Sequence, residues 1–463
     1  MSWSEKISGT IEEKRSQLIE VSDAIWSFAE TKYEEYQSAK LLAEVLRKEG
    51  FTVTEGAGGI PTAIVATYGT GSPTIGILGE YDALFYLSQK KGITSPEPIE
   101  EGGKGHGCGH NLLGTAALAA AIAVKEEILT GSFSGTIKFF GCPAEEGGGG
   151  KGFMVKAGLF ADVDAAITWH PATINAIMSG QMLATTQHYF TFKGRASHAG
   201  ATPHLGRSAL DAVSLMNAGA NFLREHLEQD TRIHYAITNT GGDSANVVQH
   251  EAQVLYKLRG PNMKSVQGIF DRVKDIADGA ALMTGTEVTH SFDAGSSDLF
   301  LNETLEQTMS AAFTELGPPT FTEEEKVFAS NIRETFPLTT EEAKQEPLNS
   351  FLVPYQHNFM KSHGSTDVGD VSWVVPTVQC TTVCFANGTP FHTWQVVSQG
   401  ATSIGHKGML HAGKVMALTA VKLFLDTDTL EKAKQEHQER REHNPYISPI
   451  PKEMALPKIL LKN

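Results

Sequence analysis

Between residues 186 and 296 the chain reads as strand, helix, strand, strand, helix, strand, and this block interrupts a longer alternation of strands and helices that resumes beyond it. The period-two segments fall at 187–192, 233–238, 252–258 and 287–292, with helical patterns at 207–226 and 263–282. That order predicts a ferredoxin-like α+β unit. Before it come helices over 11–30 and 38–49, strands at 62–68 and 74–78, an apolar helix after Asn111, and strands at 135–141 and 164–169. After it come 371–386, a long helix over 407–424 and a charged helix over 429–443. A chain of 463 residues exceeds what one core normally organises. The expected architecture is therefore an α/β domain with a sheet flanked by helices, built from 1–185 and 297–463, carrying 186–296 as an insertion. The acidic stretch 321–346 is helix-prone, shows no obvious apolar stripe, and is expected to be a surface excursion.

Charge narrows the partners. With 38 Lys+Arg against 53 Asp+Glu the formal charge is −15, which disfavours nucleic acid and anionic membranes because both would repel the chain. The first twenty residues lack the apolar core of a secretory signal. The apolar run 112–124 is too short to span a bilayer and suits a buried helix. Four cysteines, Cys108, Cys142, Cys380 and Cys384, are too few for a disulfide scaffold and fit a reducing cytoplasm.

Chemistry-bearing residues concentrate in a few short motifs. GHGCGHN places Cys108 and His110 on one glycine-flanked turn, where a thiolate and an imidazole can face one centre. GCPAEEGGGG offers Glu145 and Glu146; where one carboxylate binds a metal, its neighbour can serve as general base. The glycine run suggests a loop packed close to ions and substrate. His170 in ITWHP and His392 in GTPFHTW each follow a strand or turn. Asp82, the glutamate pair and His170 all fall just past expected strand ends, the rim where open α/β sheets bind ligands. A dinuclear site follows, with Cys108, His110, Glu146, His170 and His392 as ligands, and Asp82 as a further ligand or as a carboxylate orienting an imidazole.

Together GEYDAL, GHGCGHNLLGTAA, GCPAEEGGGGK, ITWHP, HLGRSALDAV, STDVGDVSW and GTPFHTWQ resemble, in order and over nearly the whole chain, the metal-dependent aminoacylase and carboxypeptidase family of amidohydrolases. The resemblance implies hydrolysis of the amide bond of a small N-acyl amino acid. It implies two divalent metals, Mn²⁺ first and Zn²⁺ as the alternative, in a catalytic domain whose inserted lid mediates dimerisation. On the matching positions it implies the same five ligands, with Cys108 bridging, and Glu145 as general base. His198 in GRASHAG matches an oxyanion donor, often acting across the dimer; Asn246 and Arg259 match contacts to the substrate's carbonyl or carboxylate. Many relatives carry a His two residues before the aspartate, where Glu80 stands here, so Asp82 is assigned a supporting part. Assembly is expected as a homodimer through the lid or a heteromer with a related subunit. A dipeptidase or a non-catalytic partner subunit is the competing reading, and intact Glu145 argues against the latter.

Overall fold

The computed structural model describes residues 1–461. Its larger sheet has seven strands in the order Thr52–Glu55, Ile64–Thr70, Gly135–Cys142, Thr74–Glu80, Ala165–Ala172, Thr377–Val383 and Ala176–Ile177. The central strands run parallel and the outer pairs antiparallel, so the sheet is mixed. Every residue of Thr74–Glu80 is buried, which is why that strand reads as a continuous apolar run rather than an alternating one. One face is covered by His110–Leu129, buried on nearly all sides, and by Ser403–Leu425 packed beside it. Gly114 lets the first of these helices sit against the sheet; a Cβ there would lie 2.6 Å from the Glu80 carbonyl. Ser403–Leu425 is long and apolar enough to cross a membrane, but most of it is buried within the protein, as a core helix is.

The smaller sheet is antiparallel, ordered Glu287–Ser296, Ala184–Lys193, Glu251–Gly260, Arg232–Asn239. This places the fourth strand beside the first and the third between the first and second, the ferredoxin-like order. Helices Ala209–Leu223 and Met263–Thr284 close one face over a core that includes Phe190, Phe192, Val213, Val254, Tyr256 and Val273. Because side chains alternate along a strand, Thr185, Gln187, Lys257 and Arg259 share the opposite face.

Three expectations need correction. The helix expected over 11–30 is two, Trp3–Glu13 and Arg15–Phe28, parted at Lys14; the first is opened by a capping box between Ser2 and Glu5. The acidic stretch does have an apolar side. In Glu323–Arg333, Ala329 and Ile332 are buried with Leu348, Val383, Ala386 and Ile404, and Phe321, Phe328 and Phe336 pack against them. Only short, interrupted runs carry that side, so the surrounding glutamates hid it. Finally, His170 lies inside its strand rather than beyond it.

Candidate metal centre

The site gathers around the ends of the central strands. Glu80 ends its strand and Asp82 follows two residues later. One Asp82 oxygen lies 2.9 Å from His110 Nδ1, and the other accepts the Glu146 backbone N–H at 2.8 Å. Both oxygens are thus engaged in orienting neighbours, the second of the two parts the sequence left open for Asp82. Gly109 adopts a left-handed conformation (φ 77°) between Cys108 and His110, at the start of the apolar helix.

His170 Nδ1 donates to the Pro171 carbonyl at 2.7 Å, which leaves the Nε2 lone pair directed at Cys108 Sγ, 3.4 Å away. His392 arrives from the distant loop after Thr377–Val383, its backbone N–H donating to the Gly107 carbonyl at 2.9 Å. Its Nε2 stands 3.2 Å from Glu146 Oε1.

The result is two triads of donor atoms, Cys108 with His110 and His170, and Cys108 with Glu146 and His392, each mutually within 4.8 Å, beside a third group at the same spacing formed by Glu80, His110 and Glu145. The Cys108 sulfur is common to both triads. Among the described residues His110 Nε2 and Glu146 Oε1 are buried with no hydrogen bond of good geometry, despite a carboxylate or imidazole within 3.3 Å of each, an arrangement costly for a protein group unless something else binds it. Burial, then Glu146, pushes the Cys108 thiol up from its ordinary range. Burial, then the carboxylates of Glu80 and Glu146, raises Glu145 well above the usual carboxylate range. Against its burial, His392 and His110 hold Glu146 below that range. Four carboxylates and a thiol converge here, so the donor set fits cations, which would make the thiolate favourable.

The pattern of peptidase family M20/M25/M40 matches residues 76–343. The chain belongs to that family. It is 49% identical to a p-aminobenzoyl-glutamate hydrolase subunit of Escherichia coli K12, over 97% of this chain and 98% of that one. It is 29% identical to the mouse Xaa-Arg dipeptidase, over 92% and 90% of the two chains. A Bacillus subtilis M20-family structure, described as a dinuclear metal binding peptidase, superposes with a TM-score of 0.58 at 17% identity, covering 89% of this chain and 99% of that one. This M20 chain is a metal-dependent amidohydrolase.

Within the M20 chain, other expected residues lie apart from the triads. His198 is exposed in the loop that follows Ala184–Lys193, bridged to Val247, and Asn246 is exposed beside it. His198 Nδ1 accepts backbone N–H groups of Gly200 and Ala201 at 3.1 and 3.0 Å, so its proton sits on Nε2, pointing outward as a donor. Arg259 donates to Ser365 Oγ at 2.9 Å, and Ser365 lines a pocket with Glu145, Cys108, Glu146, His170 and His392. Gly147 and Gly149 of the glycine run line a pocket with Glu145, and the run also packs tightly. A Cβ on Gly150 would meet the Pro143 carbonyl at 1.9 Å and one on Gly149 the Gly295 carbonyl at 2.7 Å, so the glycines let the loop curl on itself and pack under the smaller sheet.

Sequence reasoning missed Lys151, which is fully buried and lies 2.5 Å from both Glu80 and Asp367. Glu80 in turn lies 3.3 Å from His110 Nε2. A lysine directly after a glycine run on a site loop was the available signal.

Proposed function

We propose that this chain hydrolyses the amide bond of N-acyl amino acids, with p-aminobenzoyl-glutamate, giving p-aminobenzoate and glutamate, as the first candidate. The observation that carries the reading is the pair of donor triads sharing Cys108, with Glu145 beside them and outside both. Two divalent ions, Mn²⁺ ahead of Zn²⁺, would polarise the scissile carbonyl and acidify the attacking water. Cys108, His110, Glu146, His170 and His392 would hold them, and Asp82 would fix the His110 ring and the Glu146 backbone. Glu145 would accept the proton from the attacking water and return it to the leaving amine, a task suited to a half-buried carboxyl with raised proton affinity.

The domain division at 1–185 with 297–463, and 186–296, supports a lid that brings Arg259 and Asn246 to the substrate. His198 is too exposed to act alone within its own subunit; its outward Nε2–H would stabilise the oxyanion of a second copy paired through the lid edge. Mixed dimers test this. His198→Ala and Glu145→Gln proteins, each inactive, should regain turnover when subunits are exchanged, whereas no recovery in exchanged dimers would rule out action in trans. The four cysteines are all unpaired, which suits a cytoplasmic setting, and pairing with a related subunit is the alternative assembly.

The direct test uses the purified chain alone, assayed for metal content and for hydrolysis of aroyl-glutamates, other acyl amino acids and Xaa-Arg dipeptides. Two ions per chain and preferential cleavage of p-aminobenzoyl-glutamate are expected. A chain holding two ions that cleaves none of these would overturn the reading.

A further inference from the structure

Lys257 is the one cation facing the site that has no work to do within the described residues. It lies in the Glu251–Gly260 strand, two residues before Arg259, paired across the smaller sheet with Gln187 on one side and His234 on the other. It is partly buried and lines a pocket with Glu145, Thr185, Gln187, Ser365, Thr366 and others. Its neighbours there are already engaged. Thr185 Oγ donates to the Leu258 carbonyl at 2.8 Å, Gln187 Nε2 to Asp293 at 2.6 Å, and Arg259 to Ser365. Among the described residues no hydrogen bond or ion pair is formed by the Lys257 ammonium, although Glu145 stands on the same pocket.

Holding a partly buried ammonium without an acceptor is costly, and the surroundings add to it. Burial, then Arg259, pushes its proton affinity down, while Glu145 and Glu146 pull the other way; Lys32, whose ammonium donates to the Gly147 carbonyl at 3.3 Å, repels it as well. An anion entering from solvent would relieve both burdens. Residues i and i+2 of a strand lie on the order of 7 Å apart on one face, so Lys257 and Arg259 present two cations at a spacing that the two carboxylates of one dicarboxylic amino acid can bridge. An uncharged or cationic leaving group would leave Lys257 unpaired.

The geometry points to Lys257 as a specificity-determining residue: it binds the side-chain carboxylate of a dicarboxylic amino acid whose α-carboxylate is held by Arg259. This rests on the acyl-amino-acid reading above and goes beyond it by naming the residue that distinguishes an acidic leaving group from its neutral isostere.

The test compares p-aminobenzoyl-glutamate with p-aminobenzoyl-glutamine on metal-loaded wild type, Lys257→Met and Lys257→Arg. For Lys257→Met, kcat/KM on the glutamate compound should fall about 100-fold, mostly through KM, and the preference for glutamate over glutamine should shrink at least 30-fold. Lys257→Arg should keep most of that preference. An equal fall on both compounds would make Lys257 a general support for Glu145 and overturn the assignment; so would no fall on either.

If wild type cleaves neither compound, the functional reading itself fails. Calorimetry on metal-loaded Glu145→Gln protein then decides the subsite separately. Glutarate binding at least ten-fold tighter than butyrate, with the difference lost on adding Lys257→Met, supports it. Equal binding of the two acids overturns it.

Discussion

Glu145→Gln should abolish hydrolysis, by about 10³-fold or more, while the protein keeps both metal ions. The substitution preserves size and leaves one oxygen as a hydrogen-bond acceptor, but the amide cannot take a proton at neutral pH. Glu145 is half-buried, and desolvation together with Glu80 and Glu146 raises its proton affinity, so it is matched to receive a proton and give it back. Both donor triads are complete without it. Metal analysis of the purified variant should therefore match wild type while product formation disappears, with kcat rather than KM carrying the loss. A variant retaining full turnover would remove Glu145 from the mechanism, and one that lost its metal would make it a ligand.

The second large effect is expected at Cys108. Because its sulfur belongs to both triads, Cys108→Ala should cost more than one binding position: metal content should drop to one ion per chain or fewer, and turnover should fall by about 10³-fold or more. Burial and Glu146 oppose thiolate formation, so only nearby cations make the charged sulfur favourable there. Ions that bind the folded chain and not the unfolded one raise its melting temperature, and that increment should shrink in the variant. Melting of the metal-free variant close to that of metal-free wild type separates this from misfolding. Two tightly held ions with undiminished turnover would show that sulfur is dispensable.

Much of the fold was legible because its periodicities are clean. Alternation in 251–260 separates Val254, Tyr256 and Leu258, facing the core, from Lys257 and Arg259, facing the site, and the strand reading of that segment follows directly. The apolar composition of His110–Leu129 likewise announces a helix buried on all sides. Where the signal was mixed, the reading failed. The buried side of Glu323–Arg333 rests on a few residues among glutamates, and no periodic count separates them from a solvated surface. Lys151 was equally hidden: a lysine is expected in water, and only the convergence of Glu80 and Asp367 gives it an ion-paired burial.

The sequence alone determined the kinds of donor present and their separate local settings: a thiol and imidazole on one glycine-flanked turn, paired carboxylates after a strand, and histidines near strand ends. Local chemistry and short-range periodicity are properties of neighbouring residues, so they survive in a linear reading. Tertiary structure decided which atoms meet. His392 reaches Glu146 from 246 residues away only because its loop hydrogen-bonds to Gly107, and Asp82 becomes an orienting group because both its oxygens are taken by His110 and Glu146. The same holds for His198, which lies away from the triads, and for Lys257, which faces Glu145's pocket without a partner among the described residues. Distances between groups far apart in the chain depend on the packing of every element between them, and no motif encodes that sum.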